Sequence, residues 1–157
     1  MKTLRSGLLL LLAFLLTACA STGGKRVSEP AASIQQLTVD ARGGWQVRVR
    51  LQNYSSVAMR FDRVDLAVVV GGADAGRLSA LPALTIAPES ADVIDIALTP
   101  SAAARLQVAD ALAGGHGVAY TLKGTVSATP DAGKVRDFDI SRDSALSPAP
   151  GLPGVLR

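Results

Sequence analysis

Six or seven short stretches of alternating apolar and polar residues, separated by turn-forming Gly, Asn, Pro and Asp, predict an all-β sandwich of about seven strands. One Ala- and Leu-rich stretch after Pro100 adds a single short helix. Strands with one apolar and one polar face belong to antiparallel sheets, and the expected arrangement is immunoglobulin/fibronectin III-like.

The first strand is expected from Ile34 to Ala41, where Leu37, Val39 and Ala41 alternate with Gln36, Thr38 and Asp40. Arg42-Gly43-Gly44 turns the chain into Trp45–Gln52. There Trp45, Val47, Val49 and Leu51 face one way and Gln46, Arg48, Arg50 and Gln52 the other, a period of two. Asn53-Tyr54-Ser55-Ser56 reads as a loop, because an Asn side chain can close an Asx-turn. Arg60 to Val70 follows, with Val64, Leu66, Val68 and Val70 on one face. Val69 makes its end apolar on both sides, which places this strand centrally. Gly71 to Gly76 is a turn. Leu78–Leu81 and Leu84–Ile86 are short strands, and Ala91–Leu98 points Ile94, Ile96 and Leu98 inward.

Thr99 is the expected N-cap of the helix, with Pro100 at its first position, where a missing N–H costs nothing. The helix runs from Ser101 to Ala113, presents Leu106, Ala109 and Ala113 to the core with Leu112 at the edge, and stops at Gly114-Gly115. It is expected to cap one open end of the sandwich. Val118, Tyr120, Leu122 and Val126 then alternate with Ala119, Thr121, Lys123 and Thr125. Pro130-Asp131-Ala132-Gly133 is a turn, and Lys134–Ser141 is the last strand, with Phe138 and Ile140 apolar. The expected core is Leu37, Val39, Trp45, Val47, Val49, Leu51, Val64, Leu66, Val68, Ile94, Ile96, Leu98, Leu106, Tyr120, Leu122 and Phe138.

The N-terminus carries a different signal. Met1–Arg5 is basic, Leu8–Leu16 is apolar, and Leu16-Thr17-Ala18-Cys19 follows. A short basic segment, about ten apolar residues and small residues at a cleavage point make a secretory signal; a membrane span needs ~20. Leu16, Thr17, Ala18 and Cys19 resemble the lipobox of bacterial lipoproteins, which implies diacylation of Cys19. Cys19 is the only cysteine, so intermolecular pairing or a reactive thiol is the other reading. Ala20 and Ser21, in place of an Asp, point to the outer membrane facing the periplasm. The expected organisation is therefore a lipoprotein signal peptide over 1–18, a lipidated flexible tether over 19–32, a β-sandwich over 33–143, and a Pro/Gly-rich extended or disordered tail over 144–157. In the tether, Lys25 and Arg26 read as solvated linker residues, with contact to anionic head groups as the other reading.

The chain has 16 Lys and Arg against 13 Asp and Glu. Lys2 and Arg5 leave with the signal, so the mature balance is +1 over 139 residues. Nothing here has the clustered basic charge of a nucleic-acid binder. Arg48 and Arg50, with Arg60 and Arg63 nearby in sequence, are candidate surface contacts for lipid or lipopolysaccharide; Asp62 and Asp65 partly neutralise them.

Catalytic chemistry finds little to work with, and no catalytic residue is assigned. His116 is the only histidine and lies between two glycines, in a solvated turn. A zinc site wants three or four ligands, so no metal or cofactor is expected. No Gly-x-Ser-x-Gly elbow occurs. Asp137, Asp139 and Asp143 suggest calcium less than they suggest charges guarding a strand edge. Gly71–Gly76 has no Lys-Ser/Thr after it, so a phosphate loop is not expected.

The run Trp45-Gln46-Val47-Arg48-Val49-Arg50-Leu51-Gln52-Asn53-Tyr54-Ser55, the Val-x-Leu strand at Phe61–Val70, the strand region Leu84–Leu98 with Pro88, and Tyr120-Thr121-Leu122-Lys123-Gly124-Thr125-Val126 occur in an order that resembles the late embryogenesis abundant type 2 (WHy domain) family. The likeness spans roughly residues 33–141. Gln52-Asn53-Tyr54 stands where that family carries Asn-Pro-Asn. The resemblance implies a seven-stranded β-sandwich with a helix and a non-enzymatic role, protective in desiccation or water stress. Bacterial members are often envelope lipoproteins. The alternative is an accessory or interaction subunit of an envelope assembly or transport complex, binding an envelope protein or lipid.

Overall fold

The computed structural model describes residues 24–157. The signal peptide, Leu16, Thr17, Ala18, Cys19, Ala20 and Ser21 lie outside the described residues. The element order is β1 (Ala31–Val39), β2 (Trp45–Gln52), β3 (Met59–Val70), β4 (Ala73–Ala80), β5 (Leu84–Ile86), β6 (Ala91–Leu98), α1 (Ala102–Gly114), β7 (Val118–Pro130), β8 (Arg136–Leu146) and β9 (Val155–Leu156). One sheet has the order β6-β2-β1-β9; the other has β4-β3-β7-β8, with β5 also paired to β3. All of these pairings are antiparallel. The two sheets share one continuous core.

The all-β class with one helix holds, with nine strands among the described residues against the expected seven. β2 buries Trp45, Val47, Val49 and Leu51 and turns Gln46 and Arg50 outward, as its alternation requires. The turn before it is closed by Asp40, whose Oδ1 accepts from the amides of Arg42 (2.7 Å) and Gly44 (2.9 Å). β3 is central, as Val69 indicates: β4 and β5 flank it on one side and β7 on the other. β1 slips register between Ile34 and Gln36. There the buried Tyr120 hydroxyl accepts from the Ile34 amide at 3.1 Å and joins the two sheets.

The helix starts later and faces differently than its sequence pattern predicts. Ser101, not Thr99, is the N-cap: its side chain accepts from the Ala104 amide at 3.2 Å and also donates to the Asp74 carbonyl, fastening the helix to β4. Gly115 ends it in the left-handed conformation. Ala104, Val108 and Ala111 are buried, while Leu106 is 70% exposed. A helix of Ala and Leu is apolar nearly all round, so periodicity cannot choose its inner face. Close approach to the sheets selects the small residues instead. The rest of the expected core is buried, except that Val39, Ile94 and Phe138 pack half-buried at its margin. The helix does cover one end of the sandwich, beside Gly43 of the β1–β2 turn and Gly71 of the β3–β4 turn.

Within the described residues, the segment from Arg26 and the C-terminal tail both belong to the domain, in place of the expected flexible tether and extended or disordered tail. β1 begins at Ala31, and Arg26 to Pro30 already pack on the loop after β2. The tail returns to pair Val155 and Leu156 with Thr38 and Leu37 of β1. Val155 and Leu156 are buried, and the Arg157 Nε donates to Gln36 Oε1 at 2.9 Å. The outer edge of β1 would otherwise stand unpaired; the tail covers it, held also by the Val39 amide on the Gly154 carbonyl at 2.9 Å and by its own bonds between Ser147 and Arg157.

Candidate functional site

The end of the sandwich opposite α1 is built around a buried polar knot. Asn53 and Ser55 are the buried polar residues among those described. Asn53 closes the expected Asx-turn, its Oδ1 accepting from the Ser55 amide at 2.8 Å. Its Nδ2 donates to the carbonyls of Val57 (2.9 Å), Ile86 (3.2 Å) and Ala87 (3.0 Å). One amide thereby ties the loop after β2 to the segment between β5 and β6. Ser55 Oγ accepts from the Ser28 amide at 3.0 Å and lies 3.0 Å from Met59 Sδ. The incoming chain is held here: the Arg26 amide donates to Ser56 Oγ (2.8 Å) and the Ser56 amide to the Arg26 carbonyl (3.0 Å). The Arg26 guanidinium reaches the Tyr54 carbonyl at 3.1 Å and Glu89 at 3.2 Å. Arg26 is therefore a clamp residue, whereas Lys25 stays exposed. This clamp is absent from the sequence expectation. The Arg-Val-Ser-Glu-Pro segment has no periodicity and gives no sign of what it will touch.

The opposite end carries an apolar groove of about 590 Å³ between α1 and the loop before β9, lined by residues that include Ala109, Leu112, Pro148 and Leu152. Leu152 in this lining is itself partly exposed.

The four candidate arginines do not form one patch. Arg48 and Arg50 lie on β2 in one sheet, and Arg60 and Arg63 on β3 in the other. Neighbours in sequence became strangers in space because the loop after β2 carries the chain across the sandwich. Arg48 pairs with Asp95 at 3.1 Å and Arg60 with Asp62 at 3.2 Å; Arg50 donates to Gln52 at 2.8 Å. Exposed pairs of this kind contribute about 0–1 kcal/mol each.

Asp65 on β3 has the most perturbed environment. The Arg77 guanidinium on β4, hydrogen-bonded to it at 2.7 Å, holds its carboxyl below the ordinary carboxylate value, against a smaller push upward from partial burial. The Ser79 hydroxyl and the charge of Arg63 act in the same downward direction. A carboxyl whose folded value lies below its unfolded one stabilises the fold above the unfolded value, ~3.9. That contribution is lost as the pH falls through the folded value. In an NMR titration of the folded chain, Asp65 should titrate below the ordinary aspartate value, and Arg77→Ala should move it back up. An unchanged midpoint in Arg77→Ala would mean that the pair does not hold in solution.

Of the remaining candidates, His116 is exposed, with Nε2 3.2 Å from Asp110. Asp137 accepts from Ser127, and Asp143 accepts from Thr121 at 2.8 Å, so both are engaged across the β7–β8 ladder. Among the described residues no group of three or more His, Cys, Asp or Glu converges as a metal site. No described helix is long and apolar enough to cross a membrane.

The fold and its two ends define a class: a two-sheet antiparallel β domain with a crossover helix, clamped at its N-terminal entry. The late embryogenesis abundant family model (LEA_2, late embryogenesis abundant protein) matches residues 48–142, more than half of the chain. The chain belongs to this family. No curated protein matches it. Among solved structures it is similar to a protein from Archaeoglobus fulgidus, at 13% identity over 78% of this chain and 98% of that one, with a TM-score of 0.44. It is also similar to an Arabidopsis thaliana protein in solution, at 12% identity over 79% and 80%, with a TM-score of 0.47. A putative late embryogenesis abundant protein aligns at 11% identity over 98% and 86%, with a TM-score of 0.48.

Proposed function

We propose that this protein is a lipid-anchored, non-catalytic component of a bacterial cell envelope, held by acylated Cys19 at the outer membrane and facing the periplasm, where its domain protects envelope components during water stress. The observation that carries the reading is the coincidence of the Leu16–Cys19 lipobox with a late embryogenesis abundant domain in one chain. The domain supplies a surface of solvated, mutually neutralised charge, and the anchor supplies location. Two or more acyl chains on one residue give stable membrane attachment where a single chain gives only marginal binding.

A deletion strain should lose viability on drying, and the wild-type gene should restore it while Cys19→Ala does not. Unchanged tolerance of drying, osmotic shock and detergent in the deletion strain would sink the protective reading. The second reading, an accessory subunit, is favoured by β6, which is eight residues long and terminal in its sheet with Val93 exposed. A strand at a sheet edge can take up a partner strand through backbone hydrogen bonds. Cross-linking of the lipidated protein that captures one stoichiometric partner would support that reading.

A further inference from the structure

The entry clamp has a consequence for how the domain sits on a membrane. Arg26 and Ser56 exchange backbone and side-chain hydrogen bonds, Ser28 bonds Ser55, Pro30 is buried, and β1 starts at Ala31. The chain is thus fixed to the sandwich from Arg26 onward. Cys19 lies seven residues before Arg26, a distance of at most about 25 Å when fully extended. The clamp sits at the end that carries Tyr54, Glu89 and the β7–β8 turn, where the Asp131 amide donates to the Ala58 carbonyl at 2.8 Å. The twelve residues of β3 run from that end to the helix end, a span of ~40 Å at strand rise.

We propose that the clamp orients the domain: the Tyr54 end faces the lipid headgroups, and α1 with its groove points away from the membrane. The inference rests on the lipid anchor proposed above. A tether free over residues 20–31 would let either end approach the bilayer; a tether pinned at Arg26 keeps the Tyr54 end within about 25 Å of it and leaves the helix end, ~40 Å further along β3, on average the more distant one. Tyr54 is 51% exposed, and a Tyr ring, apolar in body and polar at its tip, suits the headgroup layer. The ionisable groups at this end are mixed, Lys25, Arg26 and Lys134 against Glu29, Glu89 and Asp131. The orientation is therefore set by tether length and not by charge, and it should persist in high salt.

The test uses the full lipidated chain, reconstituted in vesicles of phosphatidylethanolamine and phosphatidylglycerol that carry a headgroup quencher. Ala132→Cys reports on the near end and Leu106→Cys on the far end, each labelled with a thiol-reactive fluorophore. An acylated Cys19 has no free thiol and stays unlabelled. Quenching at position 132 should exceed that at 106 by roughly threefold or more, given the ~40 Å between the ends. Insertion of twenty Gly/Ser residues after Lys25 should bring the ratio towards one. Equal quenching at both positions in protein that floats with the vesicles overturns the orientation and leaves the anchor standing. A parent chain that fails to float, or whose Cys19 reacts with the label, overturns the anchor and the orientation together.

Discussion

Gly124→Ala should destabilise the domain by about 3 kcal/mol, the sum expected from overpacking and local backbone displacement. Gly124 lies on β7 directly opposite Leu66 of β3. A Cβ at this position would collide with the Asp65 carbonyl oxygen and stand 3.0 Å from the Leu66 Cα. Both obstacles are main-chain atoms of the central strand, which β4 holds from its other side. Neither can swing away as a side chain would. For a domain of this size, 3 kcal/mol corresponds to a fall in Tm on the order of 10 °C. Gly24→Ala, whose added carbon meets nothing within 4 Å, is the control and should leave Tm unchanged. A loss below about 1 kcal/mol at Gly124 would show that β3 and β7 can part locally, contrary to their unbroken pairing from Arg63 to Val70. The same contact explains why a glycine belongs in Tyr-x-Leu-x-Gly: the motif marks a close approach of two backbones.

Period-two alternation made β2, β3 and β7 legible in the sequence, because a strand with one face buried cannot shift by one residue without turning every apolar side chain outward. The cues faded where that constraint lapsed. α1 is apolar on several sides, so its inner face was settled by which residues could lie close to the sheets, and Leu106 was left outside. β9 is two residues long, too short for any period to show. The separation of Arg48 and Arg50 from Arg60 and Arg63 depends on which sheet each strand joins, a non-local choice that spacing along the chain does not encode. The clamp at Arg26 and Ser28 failed to show for a related reason: its partners are Ser55 and Ser56, about thirty residues away, and it is made largely by backbone groups that every sequence possesses. By contrast, Asn53 announced its Asx-turn, since that bond is local. What it did not announce was its burial.

That burial makes Asn53→Ala the second substitution with a large expected effect, a loss of about 3 kcal/mol in equilibrium unfolding. Asn53 is fully buried, and its Nδ2 serves three carbonyls from two segments while its Oδ1 serves the Ser55 amide. Alanine removes the hub and takes this partner from the Val57 and Ile86 carbonyls and the Ser55 amide at buried positions, where each unsatisfied group costs about 1–3 kcal/mol before relaxation. Asn53→Asp separates the two halves of the role. It keeps the acceptor for Ser55 but turns a carboxylate towards the three carbonyls, and both burial and that repulsion raise its pKa. A carboxyl with a raised folded pKa binds its proton more tightly in the native state, so this variant should gain stability as the pH falls towards its folded value, opposite in sign to Asp65. Denaturant midpoints measured at pH 7 and about pH 5 would show the gain. A pH-independent loss would mean that water has entered the knot and solvated the charge. The turn lacks the proline its family carries, and proline would have fixed the backbone by covalent geometry. Here the buried amide fixes it by hydrogen bonding, at the point where the entering chain is also held.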